Sequence, residues 1–182
     1  MRYRAILIGV LLWGIVIILA VSALQAFAAT DQADLSVGMK TLPLLTNKIT
    51  GTAQLAILFD PSNAASQTEA TGIKAIIDGG FEAPGELKLV PVLVPVTDLS
   101  KMAASKIAIL TSGLSSYYDV IYQSSVNNHV LTMSTDLGCA RANKCVLGLV
   151  SKPHVEIYYS KAAGDAANIS FGQVFAMLVK QI

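Results

Sequence analysis

The chain has 182 residues, a formal net charge of +1 and a mean hydropathy of +0.58. Arg2 and Arg4 lie at the extreme N-terminus, so the remainder carries 13 − 2 = 11 basic against 12 acidic residues, a net charge of −1. The basic residues after Arg4 form no continuous stripe in the sequence. This distribution argues against nucleic-acid binding and against a polybasic membrane-surface patch.

The first 28 residues have the pattern of a secretory signal. Arg2 and Arg4 precede an uncharged apolar run over residues 5–24, and the small-x-small sequence Ala26-Phe27-Ala28 follows it. The run also has the length of a membrane span, so residues 1–28 are predicted to be either a signal peptide or an uncleaved membrane anchor. The rest of the chain is expected in the periplasm, soluble after cleavage behind Ala28 and otherwise anchored to the inner membrane.

Residues 29–50 form a predicted lead-in segment, and residues 51–182 form one predicted domain. The continuous apolar run 53–59 is typical of a strand that is buried on both faces. A helix capped by Ser62 or Asn63 should follow it as far as about residue 78, where two glycines end it.

The next apolar runs extend this alternation. Residues 87–94 contain Pro91, which predicts an edge strand, because proline cannot donate a hydrogen bond to a neighbouring strand. Further core strands are predicted at 106–110 and 130–133, with helices at 98–104 and 114–124 between the strands.

The C-terminal pattern predicts an antiparallel hairpin from runs 145–150 and 154–159. A capping-box spacing from Ser170 to Gln173 then predicts a final amphipathic helix. The predicted fold is therefore α/β: a single three-layer domain with a mixed, mostly parallel sheet, ending in the hairpin and the helix and preceded by an N-terminal apolar helix.

Cys139 and Cys145 are the only cysteines. In an exported chain, two cysteines this close are predicted to form a structural disulfide that fixes the turn before the hairpin. The alternative, a catalytic redox pair, lacks the C-x-x-C spacing.

No combination of residues with catalytic spacing is found. His129 and His154 have no HxH or HExxH companion, and no G-x-S-x-G, dinucleotide-binding or Walker sequence occurs. We therefore expect no catalytic residue, no metal and no cofactor, and predict that the protein is not an enzyme.

Polar residues cluster where three of the predicted parallel strands end, and ligands of open α/β sheets bind at this edge. The alternative is that these side chains only cap helices and close turns. This candidate ligand rim consists of Asp60, Ser62, Asn63, Ser112, Gly113, Ser134 and Asp136.

Paired tyrosines suggest a partner interface, because tyrosine is favoured at interfaces. The alternative is that one tyrosine of each pair packs in the core. The candidate interface residues are Tyr117, Tyr118, His154, Tyr158 and Tyr159.

Sequence motifs along the C-terminal half carry a family resemblance. They are His129-Val-Leu-Thr-Met-Ser-Thr-Asp136, Val146-Leu-Gly-Leu-Val150, Val155-Glu-Ile-Tyr-Tyr159, Lys161-Ala-Ala and Asn168-Ile-Ser170. Their order resembles that of the YfiR-like family of small periplasmic proteins over about residues 53–182. The resemblance implies a non-enzymatic regulatory module that docks onto a membrane protein with a periplasmic region.

Two alternatives remain open beside this hypothesis. One is a small accessory subunit of a membrane-anchored, periplasm-facing complex, for instance an oxidoreductase, which an uncleaved anchor would favour. The other is a single-lobe binder of small solutes. A homodimer is compatible with each of them.

Overall fold

The computed structural model describes residues 29–182; the predictions for residues 1–28, including the apolar helix, lie outside this range. Its seven strands form one sheet in the order β2-β1-β3-β4-β5-β6-β7. Strands β1 to β5 are parallel, β6 is antiparallel to β5, and β7 is parallel to β6. The strands are β1 (Thr52–Phe59), β2 (Lys88–Pro95), β3 (Ile107–Leu110), β4 (Leu131–Ser134), β5 (Leu147–Val150), β6 (Glu156–Tyr159) and β7 (Lys180–Gln181).

Helices cover both faces of the sheet, so the predicted three-layer α/β class is confirmed. The α-helices are α1 (Gln32–Met39), α2 (Ala64–Asp78), α3 (Tyr118–Asn128), α4 (Leu137–Arg141), α5 (Lys161–Ala166) and α6 (Gln173–Leu178). Short 3₁₀ helices occupy Leu42–Leu44, Leu99–Ala104 and Ser115–Tyr117. Within residues 29–182, no helix combines the length and the apolarity needed to cross a membrane.

The central strands are apolar at every position because both of their faces are buried. Leu55 and Ile57 of β1 pack with Ile73 of α2 on one face, whereas Leu58 packs with Ile121 of α3 on the other. None of these side chains is exposed to solvent. The prediction of β2 as an edge strand is also confirmed, since β2 begins the sheet and pairs with β1 alone.

The N-terminal segment shares the core of the domain. Asp31 caps α1 by accepting hydrogen bonds from the amides of Ala33 and Asp34. Leu35 and Met39 of α1 are buried in the same apolar cluster as β3, β4 and β5. Gly38 makes this packing possible, because a Cβ there would lie 2.9 Å from side-chain atoms of both Leu149 and Met133.

The C-terminal region differs in part from the prediction. The hairpin is present, with Leu149 opposite Ile157. The predicted final helix is present but short, since α6 ends at Leu178 and the edge strand β7 follows it. The short helix α5, which precedes it, was not predicted. The capping-box prediction was wrong: Gly172 precedes α6, and the carbonyl of Ser170 accepts a hydrogen bond from the amide of Thr46.

The predicted disulfide is present between Cys139 of α4 and Cys145 just before β5. The two Cα atoms are 5.3 Å apart, and both side chains are fully buried. The bridge therefore connects α4 to the turn that leads into β5.

Replacing both cysteines with alanine should lower the free energy of unfolding by at least about 2 kcal/mol, the chain-entropy value for so short a loop. Urea unfolding followed by circular dichroism measures this loss, and the far-ultraviolet spectrum should keep its native shape. A variant that is unfolded without urea would show that the bridge holds the whole fold rather than one turn.

Candidate functional site

The sheet has a topological switch point between β1 and β3. The chain leaves β1 through α2 on one face and leaves β3 through α3 on the other, so the carboxyl ends of these neighbouring strands border a crevice. The structure brings the predicted rim residues Asn63 and Gly113 together there. Gly113 has a φ of +81°, and a Cβ on it would lie 2.9 Å from Asn63 Nδ2.

Some of the rim residues close turns and cap helices, as the alternative interpretation holds. Asp60 is 9% exposed, and its Oδ1 accepts hydrogen bonds from the amide and the hydroxyl of Ser62. Asn63 Oδ1 caps α2 by accepting from the amides of Ala65 and Ser66. The Nδ2 group of Asn63 and the second carboxylate oxygen of Asp60 are not used in these contacts.

Two buried hydroxyls join the ends of β1 and β3. The amide of Asp60 donates to Ser66 Oγ over 2.9 Å, Ser66 Oγ lies 2.7 Å from Thr111 Oγ1, and Thr111 Oγ1 donates to the carbonyl of Leu58. Because each hydroxyl has one proton, the Ser66 hydroxyl must donate to Thr111. This directed chain of hydrogen bonds fixes the floor of the crevice. Neither Ser66 nor Thr111 was among the predicted site residues.

A buried carboxylate on α2 holds the crevice together. Glu69 is 6% exposed. Its Oε1 accepts two hydrogen bonds from Thr30, one from the amide at 2.9 Å and one from the hydroxyl at 2.6 Å. Its Oε2 accepts from the amide of Ser112 at 2.9 Å. The signal in the sequence is a charged residue on the helix face that Ser66, Ile73 and Ile77 form, and Glu69 was not among the predicted site residues.

The remaining rim residues lie at the end of β4. Ser134 Oγ accepts from the amide of Asp136, and Asp136 Oδ1 caps α4. The hydroxyl of Tyr118 donates to Asp136 Oδ2 over 2.5 Å, and burial together with this carboxylate raises the pKa of Tyr118 above its ordinary value. The hydroxyl of Thr30 lies 3.1 Å from that of Thr135, so the N-terminal segment bridges both parts of the rim.

The candidate interface residues do not form one exposed surface. Tyr159 is 7% exposed and packs edge-on against the rings of Phe171 and Phe175, so its ring belongs to the core. Tyr158 is half-buried, and its hydroxyl donates to Glu156. His154 is exposed in the hairpin loop, whereas Tyr117 and Tyr118 are half-buried on the face of the sheet that α3 covers.

Exposed apolar side chains concentrate on α6. Val174, Met177 and Leu178 are 56%, 78% and 62% exposed, whereas Phe175 of the same helix is buried. The apolar side chains of this helix are therefore divided between the core and the solvent.

A cavity of about 440 Å³ lies at the opposite edge of the sheet, where β1, β3 and β4 begin. The cavity draws its lining from four separate parts of the chain. The lining residues are Leu45, Asn47, Lys48, Ile49, Thr50, Thr52, Ala53, Lys106, His129, Asn168, Ile169 and Ser170.

Three solved structures share the fold of this chain. An ABC domain from Streptococcus pneumonia in complex with L-Trp has a TM-score of 0.56 at 12% sequence identity, and the match covers 82% of this chain and 59% of that chain. A substrate-binding protein with adhesive properties from Clostridium difficile, in a ligand-free open form, has a TM-score of 0.60 at 7% identity, with coverage of 82% and 58%. A conserved domain protein from Vibrio cholerae O1 biovar El Tor has a TM-score of 0.54 at 11% identity, with coverage of 82% and 60%.

The chain spans about three-fifths of the length of each of these proteins. At such low sequence identities the similarity establishes a common fold. No protein-family model matches the sequence, and no curated protein shows significant similarity to it.

Replacing Glu69 with glutamine should lower the free energy of unfolding by about 2 kcal/mol, because an amide NH₂ would meet an N–H or O–H donor inside the protein. Urea unfolding measures the loss, and hydrogen exchange of the Ser112 amide should accelerate. The matched control is Glu82→Gln at an exposed position. Equal stability of the two variants would contradict the central role of this carboxylate.

Proposed function

We propose that this protein is an exported, non-enzymatic binding module that recognises a small amino-acid-like solute at the crevice between β1 and β3. The observation that carries the proposal is the switch point itself, where polar residues from two neighbouring strands meet at the carboxyl edge of a doubly wound sheet. Two proteins that share this fold are described as an L-Trp complex and as a substrate-binding protein, which supports the proposal.

The polar groups at the crevice suit a zwitterion. The cap of α2 uses Asn63 Oδ1, and Glu69 binds the amide of Ser112, so Asn63 Nδ2 and the Ser112 hydroxyl are donors that these contacts leave unused. Both lie beside the N-terminus of α2, whose partial positive charge favours a carboxylate. Asp60 Oδ2 is the carboxylate oxygen that Ser62 leaves unused, and it suits an ammonium group. A solute that carries both charges would therefore satisfy both sides of the crevice.

A single lobe should bind such a solute weakly. Periplasmic binding proteins close two lobes around a ligand by a hinge motion, which removes the ligand from water. The described residues form one sheet with its helices, so a solute at the crevice keeps one side open to solvent. We expect a dissociation constant in the high micromolar to millimolar range, which corresponds to roughly 4–6 kcal/mol of binding free energy.

Titration of the protein with L-Trp, by calorimetry or by amide chemical shifts, tests this proposal. Asn63→Asp keeps the helix cap, because aspartate caps as well as asparagine, but it places a negative charge beside the solute carboxylate. This variant should weaken binding at least about tenfold, and Ser112→Ala should weaken it severalfold.

Ser115→Ala is the matched control, because it removes an exposed hydroxyl from the neighbouring 3₁₀ helix. Shifts confined to the Asn63 and Ser112 loops would support the proposal. Equal binding by the wild type and by Asn63→Asp would place the solute elsewhere, and an absence of shifts at millimolar L-Trp would reject L-Trp as a ligand of this crevice.

We propose as a second candidate the docking role that the YfiR-like resemblance implies. Three large apolar side chains of α6 face solvent, and contiguous exposed apolar surface is a feature of protein interaction sites. The proposed partner is a membrane protein with a periplasmic region, and the accessory-subunit hypothesis would use the same surface.

A photo-crosslinking side chain at Met177, incorporated in the native host, tests this second candidate. The expected product is a complex with an integral membrane protein, identified by mass spectrometry. The same group at Val120, which is 52% exposed on α3, is the matched control. Crosslinking to a second copy of this chain or to soluble proteins, or equal crosslinking from both positions, would contradict the docking role.

A further inference from the structure

The charge at the cavity on the amino edge of the sheet is not balanced. Lys48 and Lys106 line the cavity, and none of its other lining residues within 29–182 is an aspartate or a glutamate. Six of the ten lysines in residues 29–182 form ion pairs with carboxylates, but these two do not. Two lysines therefore border one concave site, and neither forms an ion pair with a carboxylate of the described residues.

Of the residues that the structure describes, three non-glycine residues have a positive φ, and two of them line the cavity. His129 has a φ of 55° and Asn168 a φ of 57°. A left-handed conformation carries a steric cost for residues other than glycine, although histidine and asparagine tolerate it better than most. Both residues follow the last turn of a helix, where a left-handed residue commonly ends the helix.

Neighbouring backbone holds both of these residues. His129 Nδ1 lies 3.1 Å from the carbonyl of Ala167, and because a carbonyl can only accept, Nδ1 must carry the proton. Asn168 follows the last turn of α5, where the amide of Ile169 donates to the carbonyl of Gly164 over 2.8 Å. The cavity wall is therefore fixed by hydrogen bonds at the point where α3 and α5 end.

The remaining lining has an apolar part and a polar part. Leu45, Ile49 and Ile169 supply aliphatic surface, while Asn47, Thr50, Thr52 and Ser170 supply amide and hydroxyl groups. A volume of about 440 Å³ is within the range of small-molecule sites. The lining thus combines aliphatic contacts, neutral hydrogen-bonding groups and two positive charges.

We propose that this cavity binds a small organic anion with an apolar body, whose anionic group lies between Lys48 and Lys106. Lysine is a strong donor to carboxylate and phosphate oxygens, and hydrogen bonds between charged groups are about twice as strong as neutral ones. The aliphatic wall accommodates the body of the ligand. This site lies at the opposite edge of the sheet from the crevice at Asn63 and does not depend on it.

Calorimetric titration with hexanoate, hexanamide and inorganic phosphate tests this proposal. Hexanoate should bind, and its affinity should fall as the salt concentration rises. Hexanamide has the same body without the charge and should bind at least about tenfold more weakly. Phosphate has the charge without the body and should also bind more weakly than hexanoate.

The double variant Lys48→Gln/Lys106→Gln should reduce hexanoate affinity at least about tenfold. Two controls isolate the site. Lys40→Gln removes an exposed, unpaired lysine at the end of α1, and Asn63→Asp alters the other edge of the sheet; both should bind hexanoate within about twofold of the wild type.

Three outcomes would overturn the proposal: no hexanoate binding at millimolar concentration, equal binding of hexanoate and hexanamide, or unchanged affinity in the double variant. Tighter binding of phosphate than of hexanoate would overturn the assignment of an apolar body. The lysine variants change exposed side chains, and Asn63→Asp changes a half-buried one that keeps its role as a helix cap. Matching thermal unfolding curves would show that the binding differences of these variants are local.

Discussion

The buried carboxylate of Glu69 constrains the whole carboxyl edge of the sheet. A carboxylate removed from water costs several kcal/mol unless donors surround it, and here the donors come from Thr30 and Ser112. These two residues lie 39 and 43 positions from Glu69 in the chain. Glu69 therefore has its full set of hydrogen bonds only when the N-terminal segment, α2 and the loop after β3 are in place together.

The apolar pattern predicted the sheet well because its central strands are buried on both faces. A continuous run such as residues 53–59 has few other stable environments in a domain of this size. The same uniformity conceals strand order and register, since one apolar strand matches another equally well. Helices α4 and α5 were missed for a different reason: they have five and six residues, too few for a helical period to appear.

The rim was predicted in part because Asp60 and Asn63 have side chains that cap helices and close turns at strand ends. The groups that support it were not predicted. Ser66 and Thr111 become partners only when α2 packs on β1 and β3 pairs with β1, and nothing in their local sequence indicates this. The cavity at the opposite edge depends still more on tertiary structure, because its lining extends from Leu45 to Ser170.

The two edges of the sheet differ in how their polar groups are satisfied. At the carboxyl edge most polar groups bond to one another, so few remain for a ligand. At the amino edge two lysines form no ion pair with any carboxylate in residues 29–182. Residues 29–50 connect the edges: Thr30 bonds to Glu69, and α1 crosses the sheet before Leu45 reaches the cavity. Because Leu35 and Met39 anchor α1 in the core, a displacement of this segment at one edge would disturb packing that the other edge shares.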